Sequence, residues 1–186
     1  MNIRARPTIA IAGSGTLGAT SSTIMTKTSS TVYTYTYTVP TGDGTGTVTV
    51  GTGTDAAGNV VTSTPTSGAT FTVDNTVPTQ TVSGVDISAD TGSSDSDFIT
   101  KTAAQTITGT LSANLADSDI LNGSVNNGSG WTNITSKVIG TGITWNGATL
   151  SGSSNILFKI TDAAGNDSNT TGSQAYVLDT TAPTAI

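Results

Sequence analysis

The sequence predicts an all-β chain of two tandem β-sandwich modules joined by short proline-containing linkers. Three observations carry that expectation. Apolar residues recur with a period of two, Gly, Asn, Asp and Ser clusters interrupt them at turn spacing, and two phrases occur twice in the same order.

The repeats set the domain organisation. Asp55-Ala56-Ala57-Gly58-Asn59 recurs as Asp162-Ala163-Ala164-Gly165-Asn166, and Val73-Asp74-Asn75-Thr76-Val77-Pro78-Thr79 recurs as Leu178-Asp179-Thr180-Thr181-Ala182-Pro183-Thr184. Their offsets are nearly equal, 162 − 55 = 107 and 179 − 74 = 105. Pro7-Thr8-Ile9 opens the first module, Pro78-Thr79 the second, and Pro183-Thr184 a third. The expected division is residues 1–76, residues 77–183, and the start of a following repeat at 184–186. Proline fixes φ and lacks a ladder donor, so it ends pairing at each junction.

Within the modules the alternation marks half-buried strands with one apolar and one Thr/Ser face. In the first, Tyr33, Tyr35, Tyr37 and Val39 alternate with threonines, as do Val48 and Val50, and Ala69, Phe71 and Val73 follow. In the second come Val85, Ile87 and Ala89, then Ile107 through Leu111 and Ala113 to Leu115. Ile143 and Trp145, Ile156, Phe158 and Ile160, and Tyr176 and Leu178 complete the series. Both tryptophans read as core residues. Gly13-Ser14-Gly15 and Gly42-Asp43-Gly44 read as hairpin turns, since neither opens a helix that would cradle phosphate.

Composition excludes whole classes of function. The 186 residues contain no Cys and no His, and all 12 acidic residues are Asp. Without Cys there is no disulfide scaffold, which suits a surface protein exported unfolded. Without His the commonest general base and zinc ligand are missing, and no lysine is placed to activate a serine or threonine, so no catalytic site is expected. Asp favours turns, which places the acids in loops. A net charge of −6 argues against nucleic acid or an anionic membrane as partner. No apolar run reaches membrane-spanning length. The first residues lack the apolar stretch of an export signal, which is expected elsewhere in a longer parent chain.

The phrases Asp-Ala-Ala-Gly-Asn and Leu-Asp-Thr-Thr-Ala-Pro-Thr resemble the tandem bacterial immunoglobulin-like repeats of giant biofilm-associated surface adhesins. Further phrases extend the likeness over most of the second module: Ile87-Ser88-Ala89-Asp90-Thr91-Gly92, Asp97-Phe98-Ile99-Thr100, Thr106 to Leu111, Gly123-Ser124-Val125 and Trp131-Thr132. The first module shares Tyr35 to Pro40 and Gly42-Asp43-Gly44. The resemblance implies immunoglobulin-like sandwiches, a type I or related secretion route, an extracellular location, and stiffening by calcium. It implies architecture more than any one ligand.

Calcium takes six to eight oxygens from carboxylates, amide carbonyls and water. In a seven-stranded sandwich the B–C and F–G loops face the incoming linker, and the A–B loop faces the outgoing one. Asp117 and Asp119 then fall in B–C and Asp162 in F–G, converging on Asp74 of the linker. Asp90, Asp95 and Asp97 fall in A–B and meet Asp179. These eight aspartates are the candidate Ca2+ ligands, because acids gathered at a joint would otherwise repel. The competing expectation is that they are turn formers, more strongly so for Asp43 and Asp167.

The functional expectation is a structural repeat of a bacterial cell-surface or secreted adhesin, a calcium-stiffened spacer serving adhesion or biofilm formation. Its partners would be neighbouring repeats of the same chain, with glycan or receptor contacts made elsewhere. The alternatives are a glycan- or host-protein-binding module, a self-assembling surface-layer or matrix subunit pairing through its edges, and an accessory domain of a polysaccharide-degrading enzyme.

Overall fold

The computed structural model describes residues 3–51, 53–55, 57–60, 65 and 67–184. Met1, Asn2, Ala56 of the first repeated phrase, and Ala185 and Ile186 of the third repeat lie outside them. The chain divides into two compact units, Met1–Thr76 and Val77–Ile186. No α-helix occurs among the described residues, and none is long and apolar enough to cross a membrane.

Unit 1 contains β1 (Ile3–Ala5), β2 (Thr8–Gly13), β3 (Thr20–Ile24), β4 (Thr26–Lys27), β5 (Tyr33–Thr34), β6 (Gly44–Gly51), β7 (Thr54–Asp55) and β8 (Thr70–Val73). Its main sheet has four strands in the order β3-β2-β6-β8, and β1-β7 and β4-β5 form small pairs. The alternation of β6 and β8 turns Val48, Val50, Phe71 and Val73 to one half-buried face. Gly46 is needed there, because a Cβ would stand 2.2 Å from the Phe71 ring. Tyr37 stacks on Phe71 at 5.8 Å between centroids. Ile11 and Leu17, 3% and 4% exposed, and Pro7 are buried apolar residues of this unit.

The Tyr-Thr run departs from the expected strand. Tyr33, Tyr35 and Tyr37 are half-buried and the threonines exposed, so the facial alternation holds. Only Tyr33 and Thr34 are in a ladder, opposite Lys27 and Thr26. Side-chain periodicity records which face is covered, whereas a ladder also needs a neighbour in register.

Unit 2 contains β9 (Val82–Ile87), β10 (Ile99–Thr100), β11 (Ala104–Leu111), β12 (Ile120–Ser124), β13 (Thr132–Asn133), a 3-10 turn (Thr135–Lys137), β14 (Val138–Ile139), β15 (Gly142–Thr149), β16 (Ser153–Thr161) and β17 (Thr171–Leu178). They form a four-stranded sheet, β14-β15-β11-β9, and a five-stranded sheet, β10-β17-β16-β12-β13. One apolar cluster draws on both: Val82, Ile87, Ile107, Leu111, Ile143 and Trp145 from the first, Leu121, Ile156, Phe158, Ile160 and Tyr176 from the second. The unit is therefore sandwich-like.

Two expectations about this unit are corrected. The alternation continues through Ala113 and Leu115, but β11 ends at Leu111: Ser112 still meets Thr81, and residues 113–116 belong to no strand. Trp145 is core, 6% exposed and edge-on to Phe158. Trp131 is instead half-buried on the outer face, with the Lys159 ammonium 5.0 Å from its ring centroid. A cation over the ring face is favourable and occupies the place a stacked sugar would take.

The sheets approach closely where sequence supplies no side chain. At Gly123 a Cβ would stand 2.5 Å from the Trp145 ring. Tyr176 of β17 gives its hydroxyl proton to the Val125 carbonyl just beyond β12 of the same sheet, at 2.6 Å. Both tryptophans lie in unit 2, so indole fluorescence reports its unfolding alone. In urea, Gly123→Ala is expected to lose about 1–3 kcal/mol by overpacking, and Tyr176→Phe about 1 kcal/mol by stranding a carbonyl. A Gly123→Ala midpoint equal to the parent's would contradict this account of the sheet contact.

Candidate functional site

The repeated phrase builds the same loop twice. The Asp55 carboxylate accepts the Ala57 amide at 2.9 Å, the Asn59 amide at 2.8 Å and the Asn59 side-chain N–H at 2.9 Å. The Asp162 carboxylate accepts the Ala164 amide, the Asn166 amide and the Asn166 side-chain N–H at 2.9, 2.8 and 2.9 Å. In each loop the glycine takes a positive φ, +90° at Gly58 and +93° at Gly165, which a side chain would strain. The residue types follow from this geometry: Asp to accept amides, Gly to turn, Asn to close on the Asp. Hydrogen bonds from the Asn partner, the side-chain one foremost, hold both carboxyls below the usual range.

The second phrase also repeats its structure. Asp74 accepts the Thr76 amide at 3.0 Å, and Asp179 accepts the Thr181 amide at 2.8 Å. Asp43 reaches this segment within unit 1, taking the Asn75 amide and the Thr76 hydroxyl, while the Asn75 side chain donates to Gly42 at 2.8 Å. Thr16 fixes Asp43 in turn, its hydroxyl accepting the Asp43 amide at 2.8 Å. The Asn75 amide, then the Thr76 hydroxyl, lower the Asp43 pKa. Read from sequence as a solvated turn former, Asp43 straps the module end. Asp167 likewise has partners, Lys159 at 2.7 Å and the Thr161 hydroxyl at 2.6 Å. Lys159 is the first cause of its lowered pKa.

Both loops expected at the entry of unit 2 lie there. Thr81 exchanges hydrogen bonds with Ser112 at 3.0 and 2.8 Å, which places the β11–β12 loop beside the incoming chain. The Val82 amide donates to the Thr171 hydroxyl at 3.0 Å, which places the β16–β17 loop there too. Ile120 pairs with Thr161, so Asp119 and Asp162 stand on adjacent strand ends. Their carboxylates nevertheless serve separate turns, Asp119 accepting the Ala116 amide at 3.1 Å. Asp119 is 9% exposed and Asp117 is exposed. Asp74 belongs to the other unit.

At the opposite end, Asp90 accepts the Phe98 amide at 2.8 Å and Asp97 the Ile99 amide at 3.0 Å. The Asp179 amide donates to Thr100 at 2.9 Å, so all three acids flank β10. Asp95 is exposed. The second carboxylate oxygen of Asp90 is buried without a hydrogen-bond partner. Among the described residues no three acidic side chains are grouped so as to hold a metal ion.

Two residues of this region carry no sequence signal. Thr100 and Gln105, 1% and 3% exposed, are buried polar groups. Gln105 accepts the Ala89 amide at 2.9 Å and donates to Ala89 and Thr102 carbonyls at 3.1 and 2.8 Å. The Thr100 hydroxyl donates to Ala89 at 2.6 Å. They replace a ladder for a segment that has left its sheet, as buried backbone groups require. A cleft of about 250 Å³ lies between Val77–Thr81 and Ser168–Thr171, lined by neither a carboxylate nor a basic group.

The lowered pKa values set an acid response. A carboxyl whose folded pKa lies below its ordinary 3.8 adds stability at higher pH, and that stability is lost as pH falls through the folded value. With no His, thermal stability is expected to stay level between about pH 5 and 8 and to drop below about pH 4. Asp55→Asn with Asp162→Asn keeps an acceptor oxygen but cannot titrate there. That variant should melt lower at neutral pH and lose less on acidification; an acid profile parallel to the parent's would count against these loops as its source.

No family model matches the chain, and no curated protein matches it.

Proposed function

We propose that each unit is an immunoglobulin-like module and that the chain is a structural repeat segment of a bacterial cell-surface or secreted adhesin. It acts as a spacer for adhesion or biofilm formation and is not an enzyme. The observation that carries this reading is the recurrence, in two units of different size, of one loop with the same three carboxylate bonds and of one junction turn closed by its Asp. Repetition of end structures is what a tandem array requires, because each module must present the same fittings to its neighbours.

Strand order supports the module type for unit 2. Labelled A to G, β9, β11, β15 and β14 stand as A, B, E and D, and β12, β16 and β17 as C, F and G. That is the division of an immunoglobulin-type sandwich. The turn acids are supplied with amide donors, so the fold does not wait on a metal. Calcium enters this reading at the module ends, with the Asp90–Asp97 loop its best-supported place, since Asp90 has a buried oxygen lacking a donor. Its partners are the neighbouring repeats, and its location is outside the cell.

Small-angle scattering on the full chain tests the spacer: a maximum dimension near the sum of two modules is expected. In calcium the distance distribution should be narrower than in chelator, while far-ultraviolet circular dichroism stays β-rich in both. Calorimetry that detects no calcium binding at millimolar concentration would remove the metal from the reading. A compact, folded-back pair would remove the spacer.

A further inference from the structure

The two units share one sheet and differ in the other. In unit 1 the order β3-β2-β6-β8 matches β13-β12-β16-β17 of unit 2, and the neighbours are antiparallel in both. The short antiparallel pair β4-β5 follows β3 as β14-β15 follows β13. Among the described residues, β9, β11 and β10, the last parallel to β17, have no counterpart in unit 1. The strand ahead of β2 is β1, and it bonds β7.

That difference accounts for the Tyr-Thr run. β15 has β14 on one edge and β11 on the other, in register from Thr149 opposite Ala104 to Gly142 opposite Thr110. β5 has β4 on one edge and, among the described residues, no strand on the other. Tyr35 to Val39 keep the alternation of a strand, yet their amides and carbonyls make no hydrogen bond among the described residues. Strand patterning with unpaired backbone is an edge that another strand can join.

The face behind that edge is thinly covered. In unit 2, Ile156, Phe158 and Ile160 of β16 are each 0% exposed beneath the second sheet. On β6, Val48 and Val50 are half-buried, as are Ile9 of β2 and Phe71 and Val73 of β8. The Tyr33 and Tyr37 hydroxyls are buried without a hydrogen-bond partner, whereas Tyr176 in unit 2 has the Val125 carbonyl. Unit 2 shows what covers this face in a complete module: β11 sets Ile107 opposite Trp145 and Thr108 opposite Thr144, apolar against apolar and Thr against Thr. The Tyr-Thr run offers the same alternation.

We propose that the Tyr35–Val39 edge of unit 1 is a strand-acceptor site. Its occupant is an antiparallel strand pair of the β9–β11 kind, contributed by repeat sequence of the parent protein. The joining strand gives Tyr35–Val39 the ladder that their pattern calls for and closes an apolar layer over Val48 and Val50. This rests on the reading of both units as one module type and adds a partner to it.

The test lengthens the full chain at its N-terminus by a second copy of residues 78–111. Met1–Pro7 then joins the added β11-type strand to β2, as Ser112–Asp119 joins β11 to β12. Amide hydrogen exchange is followed by mass spectrometry. Peptides covering 33–40 should exchange slower than in the native chain by roughly tenfold or more, with peptides from 112–184 unchanged. Ile107→Asp with Leu111→Asp, made in the added copy alone, should restore fast exchange at 33–40. Unaltered exchange there in the lengthened chain, with native indole fluorescence, would overturn the acceptor site. Slow exchange in the native chain that quickens on dilution would also overturn it, by giving the edge to a second copy of the chain. Should the lengthened chain not fold, residues 78–111 added to the native chain as a separate peptide are read by the same exchange, with the same outcomes. A folded-back shape in scattering would end the spacer reading and leave the exchange result as it stands.

Discussion

The dry contact between the two sheets of unit 2 is what the rest of that unit depends on. Ile107, Leu121, Ile156, Phe158 and Ile160 are each fully buried there. Each contributes about 1.5–3 kcal/mol of transfer free energy relative to exposure. Charged residues are only 10% of the chain, and one salt bridge, Lys159–Asp167, occurs among the described residues. Ion pairing therefore cannot substitute for burial. Gly123 beneath Trp145 sets how near the sheets can come, and the Tyr176 hydroxyl joins Val125, just beyond β12, to Ser151 in the β15–β16 connection.

The loops obey a second constraint, that amides leaving a ladder must find acceptors. In this chain Asp is the acceptor. Asp43, Asp55, Asp74, Asp90, Asp97, Asp119, Asp162 and Asp179 each take at least one backbone amide. Negative charge is spread over separate turns instead of being pooled, which keeps repulsion between neighbouring acids small. At Asp55, Asp74, Asp97, Asp162 and Asp179 the amide lies two or four residues ahead, within reach of so short a side chain.

The two units divide these tasks unequally. Unit 2 has a continuous core built from both of its sheets, and unit 1 joins buried Ile11 and Leu17 to a half-buried Tyr-Phe layer. Yet their end fittings are the same: the Asp-Ala-Ala-Gly-Asn loop, and an Asp that caps the turn two residues on.

Period-two alternation and turn chemistry are local properties, and they were sufficient to read an all-β chain, most strands of the larger unit and the repeated loop. A pattern of residues on one strand states which face is buried, so Ile156, Phe158 and Ile160 were legible before any partner was known. The same logic failed at Tyr35 to Val39 and past Leu111, where the pattern persists but the ladder does not. Candidate ligands were legible only as acids in loops. Whether an Asp oxygen faces a metal or an amide depends on backbone that arrives from elsewhere, as Asp43 shows by reaching Asn75 and Thr76. Thr100 and Gln105 gave no sign, since a polar residue's burial is decided by the carbonyls that the fold brings to it. The parallel pairing of β10 with β17 was equally hidden, because it joins residues far apart in the chain. Sequence alone determined the periodicity and the turns, which are written within a few residues; tertiary structure decided the partners, which are chosen across the whole unit.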